Sequence, residues 1–372
     1  MHIHQLVLRD FRNYEHLDLP LRPGLTAFVG LNGQGKTNLL ESVCFLSTSK
    51  SPRTHLDREL IRWEQDFLCA RAEFRDGSSA HNTAELVVTR RGEKRAKLNG
   101  AEKKEVSDWI GHLNLCGFFP EDVRLVSGQP AVRRQLLDME LCRLEGGYRH
   151  HWSQYRHVLG QRNALLRELR YRRGGRSSLP ELSEQLALHG AEIVVHRHGY
   201  VAELGGKAAG VHRRLSGERE MLSVRYESTV RGAPLGDLGS VRNALTQLLE
   251  EGSPTDIERG ATQCGPHRDE LALHLQDRDL RRFASQGQCR SAALALRIAS
   301  AEVCAERQGE APVLVLDDAL SELDAERRLE LLDMAAERDQ VLLTTTDSEL
   351  GRLDRLCKGR VFQVRGGTVE AQ

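Results

Sequence analysis

The chain of 372 residues lacks any apolar run approaching the ~20 residues that a membrane-spanning helix needs. Its N-terminus, Met-His-Ile-His, also lacks the long apolar region of a secretory signal peptide. Eight cysteines are scattered along the chain, and no two are spaced as C-x-x-C, which argues against a zinc site and against a disulfide framework. These absences predict a cytoplasmic protein that does not bind membranes.

Net charge is absent as well, because 53 basic and 53 acidic side chains balance. The charges are nevertheless unevenly distributed. Residues 131–180 hold eleven arginines and four acids, whereas residues 301–340 hold four arginines and twelve acids. The basic stretch is able to bind a polyanion such as nucleic acid, and it is also typical of a solvated helix face. Composition alone leaves both interpretations open.

One stretch near the N-terminus fits the phosphate-binding pattern G-x-x-x-x-G-K-[ST], between an apolar strand-like run and a helical pattern. Backbone N–H groups of such a loop wrap a polyphosphate, Lys36 reaches the β and γ phosphates, and the Thr37 hydroxyl ligates Mg²⁺. The chain is therefore predicted to bind ATP and Mg²⁺. The residues predicted to bind the nucleotide here are Gly30, Leu31, Asn32, Gly33, Gln34, Gly35, Lys36, Thr37 and Asn38.

A second apolar strand, residues 313–316, ends in the two carboxylates Asp317 and Asp318. Asp317 is predicted to hold Mg²⁺ through its coordination shell, and Asp318 is predicted to orient or deprotonate the attacking water. The alternative is that the two acids merely end a buried strand. It is the weaker interpretation in a chain that already contains a phosphate loop, because a metal ion at a triphosphate needs such a partner.

A polar segment, residues 285–288 (Ser-Gln-Gly-Gln), stands immediately before a predicted helix. Such a helix N-terminus receives phosphate, although an ordinary polar cap explains the pattern equally well. Residues 321–324 (Ser-Glu-Leu-Asp) follow the paired carboxylates. In this order the four features resemble ABC-type ATPase heads, which bind each ATP between the phosphate loop of one subunit and the signature of the other. The residues that would reach the nucleotide across such an ATP-dependent homodimer are Ser285, Gly287, Gln288 and Asp324.

The secondary-structure pattern divides the chain into three parts. Residues 1–128 alternate strands with short loops and form the N-terminal part of an ATPase head. Residues 129–256 carry apolar residues at helical spacing, broken at 174–180, which predicts an arm of antiparallel helices. Residues 257–372 return to strands and helices and complete the head. The predicted fold class is α/β, an ABC-type P-loop ATPase head with an inserted helical arm domain.

Five further segments, spread over essentially the whole chain, resemble the RecF family of bacterial recombination proteins. They are residues 8–14, 127–134, 161–166, 265–269 and 344–347. The resemblance implies an SMC-like head that dimerises with ATP and binds double-stranded DNA at gaps or junctions. It also implies a nucleoid-associated role in DNA repair, replication recovery and the SOS response, in which RecO and RecR act with the protein to assist RecA loading.

The family resemblance also identifies further candidate residues for the nucleotide site. Positions near the nucleotide in related heads are matched by Arg12, Asn13, Arg53 and Thr54. Residues 346–347 are Thr-Asp, whereas transporter-type heads carry a His at this position. The difference implies weak, slow ATP hydrolysis, so that ATP would act mainly by holding the dimer together and less as an energy source. Lys36 and Asp318 are the predicted catalytic residues of that hydrolysis.

Two other functions stay open. A transporter-coupled ABC ATPase subunit shares the four motifs, but the missing His and the helical insertion between Lys36 and Asp317 count against it. A nucleotide-dependent scaffold would use ATP for folding and would bind a partner protein. For Arg133 and Arg134, a phosphate contact and an internal ion pair are both open. Residues 265–269 are either functional or an ordinary Gly-Pro loop.

Overall fold

The computed structural model describes residues 1–77, 80–103, 109, 111–171, 178–346, 353, 356–357 and 360–371. The chain divides into two compact units. The first comprises Met1–Val126, Gly210–Met221 and Ala284–Gln372, and the second comprises Ser127–Ala209 and Leu222–Phe283. None of the helices in the described parts of the chain combines the length and the hydropathy of a membrane-spanning segment.

Strands and helices alternate along much of the chain. The strands are β1 (His2–Phe11), β2 (Tyr14–Pro20), β3 (Gly24–Val29), β4 (Phe67–Arg75), β5 (His81–Thr89), β6 (Lys94–Leu98), β7 (Ala101–Lys103), β8 (Leu115–Phe118), β9 (Leu222–Glu227), β10 (Glu270–Leu275), β11 (Arg278–Asp279), β12 (Val313–Leu316), β13 (Gln340–Thr345), β14 (Val361–Arg365) and β15 (Thr368–Ala371). The helices are α1 (Lys36–Thr48), α2 (Arg124–Ser127), α3 (Pro130–Leu144), α4 (Gly146–Tyr171), α5 (Leu179–Leu215), α6 (Leu238–Glu251), α7 (Ser253–Arg259), α8 (Leu280–Phe283), α9 (Gln286–Gln308) and α10 (Ala325–Ala336).

An antiparallel sheet in the order β2-β1-β4-β5-β6-β7 forms one layer of the first unit. Buried residues alternate with more exposed ones along β4 and β5, as expected for a sheet that packs a single face against the core. That core brings Leu68 and Leu86 of the sheet into one apolar cluster with Phe45 of α1. The sheet thereby fixes the helix that follows the phosphate loop.

The second sheet of the first unit runs β15-β14-β3-β13-β12-β8, and all of its pairings except β14 with β15 are parallel. Strands β12 and β13 are buried along their whole length, which explains their continuous apolar sequences. Parallel strands end at one edge of a sheet. The loop after β3, the carboxylates after β12 and the end of β13 therefore meet at the same edge.

The second unit contains α3, α4, α6, α7 and most of α5, together with an antiparallel sheet in the order β11-β10-β9. The sequence predicted helices here but missed β9, although its residues alternate in burial in part. Pairing of β10 with β9 places residues 257–283 in this unit, whereas the sequence-based division assigned them to the head. The three-part division of the chain itself stays a prediction.

Candidate nucleotide site

The loop of residues 30–35, called the phosphate loop, joins β3 to α1 and depends on two glycines. A Cβ atom on Gly30 would lie 2.4 Å from the carbonyl oxygen of Val364 on the neighbouring strand β14. Gly35, which caps α1, has φ of 112°, a left-handed conformation that L side chains rarely adopt. Its added Cβ would also meet the Asn13 side chain at 2.5 Å. Packing and backbone conformation thus both require glycine here.

Lys36, the first residue of α1, folds back over this loop. Its Nζ donates hydrogen bonds to the carbonyl oxygens of Gly30, at 2.6 Å, and Leu31, at 2.9 Å. No side chain of the described residues caps the N-terminus of α1. An ammonium group and an uncapped helix N-terminus beside a glycine loop form an anion-binding arrangement.

Asn13 and Asn38 support the loop from outside. Asn13 Nδ2 donates to the carbonyl oxygen of Gln34 at 3.0 Å, and Asn13 Oδ1 accepts from Asn38 Nδ2 at 2.8 Å. The Tyr14 hydroxyl donates to the carbonyl oxygen of Gly35 at 3.0 Å. These contacts fix the loop backbone and place Asn13 and Asn38 beside the phosphate loop. Their contact with the nucleotide stays a prediction.

Arg12 and Arg53 converge on Glu41, a fully buried acid on α1. Arg12 donates to both Glu41 oxygens, at 2.9 and 3.0 Å. Arg53 Nη1 lies 3.3 Å from Glu41 Oε2 and donates to Asn38 Oδ1 at 2.9 Å. Thr54 instead donates to Glu59. The two arginines therefore neutralise a buried charge on the helix that begins at the phosphate loop.

Asp317 lies at the carboxyl end of β12 and joins the phosphate loop to β13. Its Oδ1 accepts hydrogen bonds from Thr37 Oγ1 at 3.1 Å and from Thr344 Oγ1 at 2.7 Å. Its Oδ2 is buried and makes no hydrogen bond within the described part of the chain. A buried carboxylate oxygen of this kind beside a threonine hydroxyl fits Mg²⁺, which takes hard oxygen ligands and keeps water and phosphate as the others.

Burial raises the pKa of Asp317, although hydrogen bonds from Thr344 and Thr37 oppose the shift. The Asp317 carboxyl group therefore binds its proton more tightly in the folded protein than in the unfolded chain. The stabilising contribution of Asp317 is present at low pH and is lost as the pH rises through its folded pKa. A carboxylate that is ionised in this buried position costs folding free energy.

We expect Asp317→Asn to raise the thermal unfolding midpoint by about 2 °C at neutral pH without metal and nucleotide, the size of a change near ~1 kcal/mol. The same variant should lose the stabilisation that Mg²⁺ adds in the presence of ATP. Asp277→Asn, which alters a 93 % exposed side chain, is the control for charge. A lowered midpoint with retained Mg²⁺ dependence would contradict the expectation. Thermal unfolding with and without MgATP measures both effects.

Asp318 has φ of 49° and a half-exposed carboxylate. Its backbone N–H donates to Thr344 Oγ1 at 2.8 Å, and its Oδ2 accepts from Ser321 Oγ at 2.7 Å. Arg290 donates to its carbonyl oxygen and lies 3.7 Å from Oδ2. The Asp318 carboxylate therefore lies beside Ser321 and Arg290. Its role as a base stays a prediction.

Residues 285–288, called the signature, form the N-terminal cap of α9. Ser285 Oγ accepts from the Gln288 N–H at 3.3 Å, and Gln288 Oε1 accepts from the Ser285 N–H at 3.0 Å. This reciprocal capping box satisfies two donors of the helix end. The signature, Asp324 and neighbouring residues line a cleft of about 380 Å³. Among its described lining residues there is none from the phosphate loop.

Several side chains in the segments of the second unit that the sequence singled out make contacts within that unit. Arg133 makes two hydrogen bonds of 2.8 Å to Glu270, and Arg134 donates to the carbonyl oxygen of Asp269 at 2.9 Å. Asp269 itself is buried and accepts from the Thr229 N–H at 2.8 Å. The structure therefore favours the ion-pair interpretation of Arg133. Asp347 lies outside the described residues.

Sequence reasoning missed several side chains that shape the site. Glu41, Thr344 and Arg290 each contact a predicted residue, but none was itself predicted to belong to the site. Thr344 alone carried a signal, because it opens the segment of residues 344–347 that resembles the RecF family. Glu41 and Arg290 look like ordinary helix residues until the fold shows that both are buried.

The order of the strands in the second sheet of the first unit defines the class of protein. The phosphate loop follows β3, the paired carboxylates follow β12, and β13 lies between them, so the first unit is an ABC-type P-loop ATPase head. A family model described as "RecF/RecN/SMC N terminal domain" matches residues 2–368. With this match and the relatives below, the chain belongs to the RecF family, a group of DNA replication and repair proteins.

Among the relatives, the DNA replication and repair protein RecF of Latilactobacillus sakei is 38% identical over 99% of this chain and 98% of its own length. A solved structure of the recombination mediator protein RecF-ATP in the RecFOR pathway has 29% identity, covers 100% of this chain and 97% of the other, and gives a TM-score of 0.88. The Smc head domain of Pyrococcus furiosus matches at 15% identity and a TM-score of 0.58, covering 100% and 96%. The predicted fold class is thereby confirmed.

Proposed function

We propose that the chain is an ATP-dependent DNA-binding protein of recombinational repair and replication recovery. Two ATP molecules would join two heads, each held by the phosphate loop of one copy and the signature of the other. The observation that carries the proposal is the hydrogen bond between Thr37 and Asp317, which connects two motifs 280 residues apart. The relatives named for DNA replication and repair, and the solved RecF-ATP structure, support it.

Each part of the site has a role in this proposal. Lys36 and the phosphate loop bind the triphosphate, and Thr37 and Asp317 hold Mg²⁺, which would neutralise phosphate charge when bound. Arg12, Asn13, Asn38 and Arg53 keep the loop and the start of α1 in place. Asp318 supports a slow hydrolysis that resets the dimer. Ser285, Gly287, Gln288 and Asp324 complete the site of the other copy.

DNA at gaps or junctions is the proposed partner, with RecO and RecR acting in the same pathway towards RecA. The second unit supports this in part. Of its basic stretch, Arg133 and Arg162 are buried in ion pairs, whereas Arg156, Arg167 and Arg170 are exposed and available to phosphate. DNA should stimulate ATP hydrolysis, which neither a transporter subunit nor a scaffold would show.

The test is the molar mass in solution with and without ATP and Mg²⁺. We expect the mass to double only with both, and we expect Ser285→Arg to stay monomeric, because an arginine side chain fills the signature where phosphate would lie. Ser253→Arg, a serine of α7 in the second unit, is the matched control and should dimerise normally. A wild-type mass that ignores ATP would remove the ABC-type dimer and leave only a nucleotide-binding loop.

A further inference from the structure

Acidic side chains outnumber basic ones among the residues that line the cleft at the signature, although a triphosphate is proposed to enter it. Glu220, Glu322 and Asp324 contribute three carboxylates to its walls. Arg327 is the only cationic side chain among the described residues that line it. A polyanion entering this cleft therefore meets a net negative lining unless the charges rearrange.

Both Nη atoms of Arg327 are held by neighbours within the cleft. Its Nη2 donates to Glu220 Oε2 at 3.1 Å, and its Nη1 donates to Ser291 Oγ at 2.6 Å. Its Nε lies 3.2 Å from Asp324 Oδ2 but makes no hydrogen bond within the described part of the chain. The guanidinium is 12 % exposed, and Glu220 and Ser291 hold the two Nη groups that would donate to phosphate oxygens.

Besides Arg327, Glu220 also binds a residue of the signature. Its Oε1 accepts a hydrogen bond from Gln288 Nε2 at 3.0 Å. The buried His212 ring lies 3.7 Å from Glu220 Oε2, and burial lowers the pKa of His212 against the opposing effect of Glu220, which favours the neutral ring. The positive charge that faces Glu220 is therefore that of Arg327.

Glu220 belongs to Gly210–Met221, the segment of the first unit that the second unit interrupts on both sides. Arg214 binds this segment to α10 through two hydrogen bonds of 3.1 Å to Glu337, and Arg219 does so through one of 2.8 Å to Glu326. Residues 209 and 222, at its two ends, belong to the second unit.

We propose that Glu220 is a latch, a positioning residue that holds Arg327 and Gln288 away from the triphosphate bound by a second copy of this chain. Release of the latch frees a guanidinium for phosphate oxygens, which it binds in a two-pronged geometry, and removes one negative charge from the path of the anion. Glu220 acts through Arg327 and Gln288. The inference rests on the proposed ATP-dependent dimer and adds a residue that sets how readily that dimer forms.

The test is the dimer dissociation constant of Glu220→Gln, measured by sedimentation at saturating ATPγS and Mg²⁺ so that the readout is assembly. The amide still accepts from Gln288 but lacks the charge that binds Arg327. We expect the constant to fall about tenfold, a size usual for close charge pairs at interfaces. Glu220→Asp keeps the charge but is one methylene too short to span Gln288 and Arg327, and we expect a smaller fall.

A control separates the latch from general charge. Glu218→Gln removes an exposed acid two residues from Glu220 that does not line the cleft, and it should assemble as the wild type does. Because a purely supporting residue would weaken assembly when changed, equal or weaker dimerisation of both Glu220 variants overturns the latch. A wild-type protein that fails to dimerise would instead contradict the proposed function.

Discussion

Lys36→Ala is expected to lower the affinity for ATP at least about a hundredfold, because each hydrogen bond to a charged group contributes roughly 1.5–3 kcal/mol and Lys36 would donate two or more to the phosphates. The Lys36 ammonium lies within 2.9 Å of two loop carbonyl oxygens, so it is already placed over the phosphate loop. Loss of ATP binding should also abolish dimerisation and nucleotide-dependent DNA binding.

Calorimetric titration with MgATP measures the affinity. Lys97→Ala, which alters a half-exposed lysine of β6 that pairs with Glu85 at 3.5 Å, is the matched control and should bind ATP normally. Lys36→Arg tests the geometry, because a planar guanidinium does not reproduce the compact ammonium. Near-normal affinity of Lys36→Ala would remove the phosphate loop as the nucleotide site.

Arg162→Ala is expected to destabilise the second unit by about 3–5 kcal/mol, the usual cost of leaving one partner of a buried ion pair alone. Arg162 is fully buried, and its Nη1 donates to Asp256 Oδ2 and to Thr262 Oγ1, each at 2.7 Å. Its Nε donates to Ser183 Oγ at 3.1 Å. One side chain on α4 therefore holds α5, α7 and the loop after α7 together.

Hydrogen exchange resolved to peptides of α4 and α5 measures this loss of protection without requiring a single unfolding transition. Arg167→Ala, five residues along the same helix and exposed, is the control. The double variant Arg162→Met with Asp256→Leu should recover much of the stability, since a buried pair replaced by apolar side chains costs little. Equal protection in Arg162→Ala and Arg167→Ala would contradict the expected role.

The Lys36 and Arg162 variants are expected to affect different units of the chain. The predicted nucleotide contacts lie in the first unit, whereas Arg162 and the segment of residues 265–269 make buried contacts in the second. Residues 161–166 and 265–269 attracted attention in the sequence as a family resemblance, and the structure shows buried contacts at both. Asn163 Oδ1, for example, accepts from both the N–H and the hydroxyl of Thr262 at 2.8 Å. Resemblance identified the segments, but only contacts showed what they do inside this unit.

The extent of sequence-based prediction differed between elements for a physical reason. Strand β12 was predictable because its apolar residues and the two acids after it are contiguous. The long helices followed from the spacing of their apolar residues. One of them, α3, ends at Leu144, and the next, α4, begins at Gly146. Strand β9 was missed, because an edge strand whose residues are mostly half-exposed has a weak apolar pattern and gains its order from pairing with β10.

By itself, the sequence determined the phosphate loop, the paired carboxylates, the signature and the fold class, since the residues of each motif act within one turn or at one strand end. Only the tertiary structure decided which arginines face solvent and which acids hold them. Arg133 and Glu270 are 137 residues apart, and Arg162 and Asp256 are 94 apart. Glu220 reaches Gln288 and Arg327 in the same way. Which charged side chains pair depends on their distance in the folded protein and on their burial. The spacing of residues along the sequence specifies neither the distance nor the burial.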